Sequence, residues 1–365
     1  MSFFRCIDAE GAPVPAGARD RRGPLVVDMH CHMIVDGAEK LANANKPAEP
    51  EVAHRFASPE SRQVSVAMVQ RIADRIRTTA TRLEDMDAAG IDVQVISPAP
   101  GHYCYWASEE LGRELARQVN DGLAKAAADH PGRVLALGTV PMQSPRAAVD
   151  ELRRCMGELG MRGVEISTHV NDKELADPAF RPFFAAAQEL GAIVFLHPTG
   201  FTQGQRLGPY HLNNVIGNPL DTTVALAHLI YGGVLDEYPG LKICAAHGGG
   251  TIAAYPGRFD HAWRERNDCS AHCRHEPSHY LRRMFFDTIV YDPPQLRALA
   301  AQWGADQLVL GTDYPYDMAE PDPVGFVHRA GLDAQATAGI LGGNAARLLG
   351  MDAAEMLRAA RPRAL

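Results

Sequence analysis

The most informative segment of the chain reads LVVDMHCH, from Leu25 to His32. It joins a short apolar run to two histidines that are separated by a single residue. Alternate residues of a β-strand point to the same face, so a strand here aims His30 and His32 in one direction. Two imidazoles that point the same way are hard to explain as packing. The segment therefore predicts a buried strand that ends in a pair of metal ligands.

Seven further apolar runs follow along the chain, and all eight are brief and apolar on both faces, as buried parallel strands are. The candidate strands are Leu25–Met29, Val93–Ser97, Val134–Thr139, Gly163–Ser167, Ala192–Leu196, Lys242–Ala246, Phe285–Ile289 and Leu308–Gly311. Helical patterns lie between most of them, for example in Glu109–His130. Strands that alternate with helices predict a parallel sheet. Eight repeats predict the α/β class and a (β/α)8 TIM barrel.

Four of these runs end close to a group that can hold a metal ion. The first opens into His30 and His32, the fifth ends at His197, the sixth ends at His247, and the eighth is followed by Asp313. In a (β/α)8 barrel the C-terminal ends of the strands converge on one face, where such barrels carry out their chemistry. The sequence therefore predicts a cluster of three or four imidazoles and one carboxylate, which suits Zn²⁺ and similar divalent ions.

The length of 365 residues and the hydrophobic fraction of 46% fit one barrel with additions. We expect an N-terminal extension over residues 1–24, the barrel over 25–350 and a C-terminal tail over 351–365. About 60 residues separate the first two strands, more than one crossover helix needs. This insertion, at about 33–80, is interpreted as a lid or substrate-recognition segment above the site. A solvated surface decoration is the alternative.

Several protein classes are disfavoured by composition. A formal net charge of −8 gives no support for nucleic-acid binding. No apolar stretch approaches the roughly 20 residues that a membrane-spanning helix needs. The first 24 residues lack the apolar segment of a signal peptide. Seven scattered cysteines argue against a disulfide framework and fit a reducing compartment. We therefore expect a cytoplasmic protein.

Further motifs extend the pattern beyond the paired histidines. They are EDMD at Glu84–Asp87, GIDVQV at Gly90–Val95, His197-Pro198, GQR at Gly204–Arg206, the stretch Leu241–Gly250 with HGGG at its end, Gly257-Arg258, and GTDYP at Gly311–Pro315. Together with Val27–His32 they resemble the amidohydrolase superfamily, in the branch typified by aminocarboxymuconate-semialdehyde decarboxylase. The resemblance runs from about Leu25 to Leu349, which is nearly the whole chain.

The resemblance implies a role for each metal-site residue. It implies that one divalent ion, zinc in the first place and manganese as the alternative, is held by four ligands: His30, His32, His197 and Asp313. It also implies that His247 is a catalytic histidine beside a metal-bound water.

The resemblance further implies two arginines that bind a substrate carboxylate. Arg258 matches one of them, which in some relatives enters the site of the neighbouring subunit, so we expect a homodimer. The second should follow the first strand, where Arg71 fits the spacing best and Arg62 or Arg55 are alternatives. Thr199 departs from the pattern, because the type enzyme has an aromatic residue at this position.

Two other features bear on the number of metal ions. Binuclear relatives commonly carry a carboxylated lysine at the end of the fourth strand, and Gly163–His169 contains no lysine. Glu165 could approach the site, or serve a structural hydrogen bond. The loop Cys269–His275 could suggest a second, structural zinc site, but a surface loop near a dimer contact is preferred. The sequence thus favours a single ion.

The expected activity is metal-dependent, non-oxidative decarboxylation of an aromatic or muconate-type carboxylic acid, with metal-bound water and His247 as the proton source. The alternative is a metal-dependent hydrolase or hydratase that acts on a related carboxylated ring or ring-cleavage compound. A non-catalytic metal-binding or ligand-binding protein is the third class. In the first two the substrate is a small anionic carboxylate, which an arginine fork suits.

Overall fold

Parallel strands form the centre of the structure, a computed structural model that describes residues 23–49 and 52–361. Its strands are β1 (Val27–Met33), β2 (Val93–Pro98), β3 (Val134–Ala136), β4 (Gly163–Ile166), β5 (His169–Val170), β6 (Lys173–Glu174), β7 (Ile193–Leu196), β8 (Lys242–Ala245), β9 (Phe285–Asp287) and β10 (Leu308–Val309). β5 and β6 form a small antiparallel hairpin. The other eight are the barrel strands, which confirms the predicted TIM barrel.

The barrel closes from two groups of parallel strands. One has the order β1-β2-β3 and the other β10-β9-β8-β7-β4. A bridge between Gly138 and Val164 joins the groups on one side, and a bridge between Cys31 and Tyr314 joins them on the other. At this second seam the His32 amide donates to the Tyr314 carbonyl over 2.8 Å. The seam therefore lies among the residues predicted to bind metal.

Helices surround the barrel and follow most of its strands. They are α1 (Asp36–Asn45), α2 (Val52–Arg55), α3 (Pro59–Ile72), α4 (Thr79–Ala89), α5 (Glu109–Asp129), α6 (Pro145–Gly157), α7 (Arg181–Leu190), α8 (Asn218–Tyr231), α9 (Val234–Glu237), α10 (Gly250–Ala254), α11 (Pro256–Glu265), α12 (Asn267–Ser270), α13 (Pro277–Leu281), α14 (Pro293–Trp303), α15 (Pro323–Arg329), α16 (Ala334–Ala338), α17 (Asn344–Leu349) and α18 (Ala353–Ala360). None of these helices is both long and apolar enough to span a membrane.

Two layers of apolar side chains hold the barrel together. The inner layer includes Val27, Phe195 and Val309, and it continues into Leu348 of α17 and Met356 of α18. Side chains of these two helices therefore belong to the same apolar cluster as the side chains that the strands direct into the barrel. The outer layer lies between the strands and the surrounding helices. The residues of α18 belong to the segment expected as a C-terminal tail.

The strands differ from the sequence prediction mainly at their ends. β1 continues to Met33, so that His30 and His32 lie inside the strand rather than beyond it. The cause is its pairing with β2, which extends to Met33 opposite Pro98 after an irregularity in register between Asp28 and Cys31. Before β2 the chain forms α3 and α4, which the turn at residues 73–78 separates.

The segment after β1 is tied to the loop that follows β7. The buried Asn213 side chain accepts from the Phe201 amide and donates to the Val52 carbonyl, both over 3.0 Å. The Ser58 amide donates to the Gly208 carbonyl over 3.0 Å. The start of α2, the start of α3 and residues 201–217 therefore form one connected unit.

Candidate metal centre

Four side chains meet at one point of the structure. The Nε2 atoms of His30 and His32 are 3.1 Å apart. Asp313 Oδ1 lies 3.5 Å from the first of them and 3.2 Å from the second. His197 completes a group whose ligand atoms all lie within 4.8 Å of one another, and all four residues are buried. The structure thus brings together the four ligands that the sequence predicts.

The far nitrogen of each strand histidine is fixed by an oxygen acceptor. His30 Nδ1 donates to Asp287 Oδ2 over 2.5 Å, and His32 Nδ1 donates to the Pro98 carbonyl over 3.2 Å. These acceptors favour the tautomer that carries its proton on Nδ1 and leaves Nε2 as an electron-pair donor. Both Nε2 atoms therefore face the shared centre as ligands.

His197 supplies an independent test of whether a metal ion fits. Both ring nitrogens of His197 are buried and have no hydrogen-bond partner among the described residues. A buried polar atom without a partner is costly, and coordination of an ion would satisfy it. Burial and the neighbouring imidazoles also hold the pKa of His197 well below its usual range, so the ring is neutral. The donor set of three imidazoles and one carboxylate fits a single divalent ion.

The carboxylates give the centre an affinity for positive charge. Burial opposes ionisation of Asp313, yet the neighbouring imidazoles of His30, His247 and His32 hold the pKa of Asp313 well below its usual range. Burial likewise opposes a charge on His30, but the carboxylates of Asp313 and Asp287 raise its pKa to about 9. The site therefore attracts a proton at the place where a metal cation would be held, and the two compete.

Asp287, at the end of β9, is a site residue that sequence reasoning missed. Besides His30, its buried carboxylate accepts from the His247 amide over 3.0 Å and the Gly248 amide over 2.8 Å. One side chain thus orients a metal ligand and the backbone of the candidate catalytic histidine. Its only signal in the sequence was an acidic residue inside the predicted seventh strand.

His247 lies beside the four ligands in a tight left-handed turn. Its φ is 55°, and the next residue, Gly248, has a φ of 63°. A Cβ at Gly248 would stand 2.4 Å from Val290 Cγ1, so glycine is required both for the turn and for the close approach. His247 Nε2 is 3.9 Å from Asp313 Oδ2, whereas its buried Nδ1 has no hydrogen-bond partner among the described residues.

The candidate carboxylate-binding arginines lie away from this buried cluster. Arg258 is exposed on α11, and Arg71 is exposed in the last turn of α3. Arg62 is also exposed on α3, and Arg55 Nη2 lies 3.7 Å from Glu49 Oε2. Within this chain the structure brings together the metal ligands and His247, but leaves these arginines on the surface.

Glu165 lies at the end of β4, on the far side of His32. Its Oε1 accepts from the Tyr103 hydroxyl over 2.7 Å and is 3.9 Å from His32 Nδ1. Burial raises the pKa of this carboxyl. The residue therefore approaches the centre and also makes a structural hydrogen bond, the two roles that the sequence left open. The loop Cys269–His275 contributes to no metal-ligand group among the described residues.

The family model described as amidohydrolase matches residues 27–351. The chain belongs to the amidohydrolase family. Family members similar to this chain include the 2-amino-3-carboxymuconate-6-semialdehyde decarboxylase of Dictyostelium discoideum, at 36% identity over 74% of this chain and 76% of the relative. A gamma-resorcylate decarboxylase of a Rhizobium species is 28% identical over 72% of this chain and 86% of the relative. These relatives place this amidohydrolase in the decarboxylase branch that its sequence resembles.

Solved structures support the fold of this amidohydrolase. The 5-carboxyvanillate decarboxylase of Sphingomonas paucimobilis superposes with a TM-score of 0.80 at 24% identity, over 90% of this chain and 100% of the other. A dihydroxybenzoic acid decarboxylase of Polaromonas sp. JS666, with bound manganese and 2-nitroresorcinol, has a TM-score of 0.74 at 22% identity, over 90% and 97%.

The geometry of the four ligands predicts about one divalent ion per chain. Elemental analysis of the purified protein should give this ratio, and the double variant His30→Ala/His32→Ala should lose the ion because two of four donors are removed. Two equivalents of metal per chain, or unchanged metal in the double variant, would contradict the assignment.

The contacts of Asp287 predict a role in metal affinity. Asp287→Asn should weaken metal binding by about 10- to 100-fold, as expected when the outer partner of a ligand histidine is lost. Competition with a chelator measures this affinity. The control is Asp92→Asn, because Asp92 is a buried carboxylate that pairs with Val26 and Arg361 before the start of β2, at the opposite end of the barrel. Equal effects of the two substitutions would count against an orienting role for Asp287.

Proposed function

We propose that this protein is a metal-dependent, non-oxidative decarboxylase of a small aromatic or muconate-type carboxylic acid. The observation that carries the proposal is the buried cluster of three imidazoles and Asp313 with His247 beside it. The 2-amino-3-carboxymuconate-6-semialdehyde and gamma-resorcylate relatives are decarboxylases by name, which favours a carboxy-lyase over a hydrolase.

The proposed metal ligands are His30, His32, His197 and Asp313. When bound, a divalent ion supplies Lewis acidity, which lowers the pKa of a coordinated water to about 7 and stabilises developing negative charge. We favour zinc for this set of three nitrogens and one oxygen. Manganese, which the Polaromonas enzyme binds, is the alternative.

His247 is proposed to move the proton that the reaction requires. The carbon that bears the carboxylate gains a proton, the bond between that carbon and the carboxylate breaks, and its electron pair restores the conjugated system as CO₂ leaves. Imidazole suits this step because its pKa is close to neutral pH. The Nδ1 atom, which lacks a partner among the described residues, is the atom available to carry the proton, while the Nε2 atom faces Asp313.

Arg258 and Arg71 are proposed to bind the substrate carboxylate, with Arg62 and Arg55 as alternatives to Arg71. A guanidinium fork matches a planar carboxylate. Arg258 is exposed on α11, a position from which it can enter the site of a second subunit. We therefore propose a homodimer in which Arg258 completes the neighbouring site. The cytoplasmic location stays a prediction from the sequence.

The proposed reaction predicts release of CO₂ without consumption of water. Purified, metal-loaded protein should release CO₂ from at least one member of a panel that contains 2-amino-3-carboxymuconate 6-semialdehyde, 2,6-dihydroxybenzoate and 5-carboxyvanillate. His247→Ala should remove nearly all of this turnover and keep most of the metal, since the ion retains its four ligands.

Two results would speak against this function. Substantial turnover by metal-loaded His247→Ala would refute the proton-transfer role, and loss of the metal from this variant would make His247 a ligand instead. A product that contains the elements of water, with the carboxylate retained, would favour the hydrolase alternative.

The shared site predicts recovery of activity in mixed dimers. His247→Ala and Arg258→Ala, each inactive alone, should regain about a quarter of wild-type activity when they are dissociated and reassembled together. Random pairing makes half of the dimers mixed, and each mixed dimer has one site with both groups intact. No recovery, with mixed dimers demonstrated by mass spectrometry, would show that Arg258 acts within its own chain or not at all.

A further inference from the structure

A fully buried arginine lies behind the metal centre. Arg82, on α4, is 0% exposed. Arginine is almost never buried completely unless a carboxylate pairs with it, because loss of hydration is costly for an ion. The two hydrogen bonds that Arg82 donates among the described residues are instead made to neutral oxygen atoms. A charge kept in such a place needs an explanation other than surface ion pairing.

The first contact of Arg82 is with the backbone of a metal ligand. Its Nη2 donates to the His32 carbonyl over 2.5 Å, and its Nη1 donates to Gln94 Oε1 over 2.9 Å. His32 lies on β1 and Gln94 lies on β2. The planar guanidinium therefore spans β1 and β2 beside the metal ligands. Its hydrogen bond to the His32 carbonyl holds the His32 peptide in position relative to β2.

The second contact reaches the segment that carries Asp313. The guanidinium of Arg82 lies over the ring of Tyr314, 4.7 Å from its centroid. Tyr314 follows Asp313 directly, and its carbonyl accepts from the His32 amide across the seam of the barrel. Arg82 thus touches both sides of the seam that brings His32 and Asp313 together.

A chain of buried hydrogen bonds connects Gln94 to the same segment. Gln94 Nε2 donates to Asp28 Oδ2 over 2.8 Å, and Thr312 Oγ1 donates to that oxygen over 2.7 Å. The Thr312 amide donates to Asp28 Oδ1 over 3.1 Å. Starting from Arg82, the network therefore returns to the residue immediately before Asp313.

We propose that Arg82 is a positioning residue of the metal centre, which sets the spacing between the ligands His32 and Asp313 across the barrel seam. It acts through the His32 carbonyl and the Tyr314 ring, and is not one of the proposed metal ligands. Because α4 leads from the segment after β1 to β2, Arg82 also connects that segment to the centre. The inference rests on the metal site of the proposed function and is independent of which reaction the site catalyses.

Arginine is required for this role because of its shape. Its guanidinium donates in two directions within one plane and stacks on an aromatic ring at the same time. Lysine in its place keeps the charge and can reach one acceptor, but it cannot span His32 and Gln94 with a rigid fork. Methionine keeps much of the volume and loses both donors. The two substitutions therefore separate the charge from the geometry.

The test compares Arg82→Met and Arg82→Lys with a matched buried arginine. Arg154, on α6, is 9% exposed and pairs with Glu151 and with Asp121 of α5 in the outer layer. Zinc affinity is measured by competition with a chelator, and ligand geometry by the visible absorption spectrum of the cobalt-loaded protein. Arg82→Met should weaken zinc binding about 10- to 100-fold and change the cobalt spectrum, as loss of an outer-shell partner does. Arg82→Lys should be intermediate.

Arg154→Met should lower the melting temperature of the metal-free protein, yet keep the zinc affinity and the cobalt spectrum of the wild type. The proposal is overturned if Arg82→Met matches wild type in both metal readouts, or if Arg154→Met impairs them equally. If Arg82→Met does not fold, Arg82→Lys decides: unchanged affinity and spectrum overturn the proposal. Absence of CO₂ release by the wild type would refute the decarboxylase function without affecting these metal measurements.

Discussion

The metal centre depends on the constraint that the two imidazoles of β1, those of His30 and His32, are held by the nitrogen that faces away from the shared centre. Asp287 does this for His30 and at the same time binds two amides of the turn that carries His247. A single carboxylate on β9 thereby connects β1 with the end of β8. Because this carboxylate is completely buried, its hydrogen bonds are not shared with bulk water, and the partners have little freedom to move. His30 and the turn that carries His247 are thus oriented by the protein before an ion binds.

Closure of the barrel supplies the second requirement, which is proximity. β1 and β10 are the ends of two separate groups of strands, and the bridge between Cys31 and Tyr314 joins β1 to the segment that follows β10. His32 and Asp313 lie next to this bridge. Gly311 permits the approach, because a Cβ there would stand 2.8 Å from the Cβ of His30. The fold and the site are therefore stabilised by the same contacts, and disturbance of the seam affects both.

The barrel and the cluster of metal-binding groups at its strand ends could be predicted from the sequence, because both depend on local patterns. The division of this cluster into four ligands and a catalytic His247 came from the family resemblance. Short apolar runs define the strands, and a histidine or aspartate at the end of a run is brought to one face by topology alone. Asp287 could not be found this way, since it is a polar residue inside an apolar run and its partners lie 257 and 40 residues away in sequence. Arg82 sits in a helical pattern, where an arginine normally indicates a solvent-exposed face. The role of Arg71 rested on spacing through the longest insertion, and its exposed position in α3 leaves that role a prediction.

The connection between Asn213 and Val52 has a consequence for attempts to exchange parts between related barrels. The side-chain amide of Asn213 donates to the backbone carbonyl of Val52, about 160 residues away in sequence. The carbonyl in the segment after β1 therefore depends on the loop after β7 for its hydrogen bond. A chimera that imports the segment after β1 from another enzyme, and keeps the native residues 201–217, retains this hydrogen bond only if an imported carbonyl lies where that of Val52 does. New substrate preferences are therefore best transplanted as a pair of segments, with the strands and their histidines left in place.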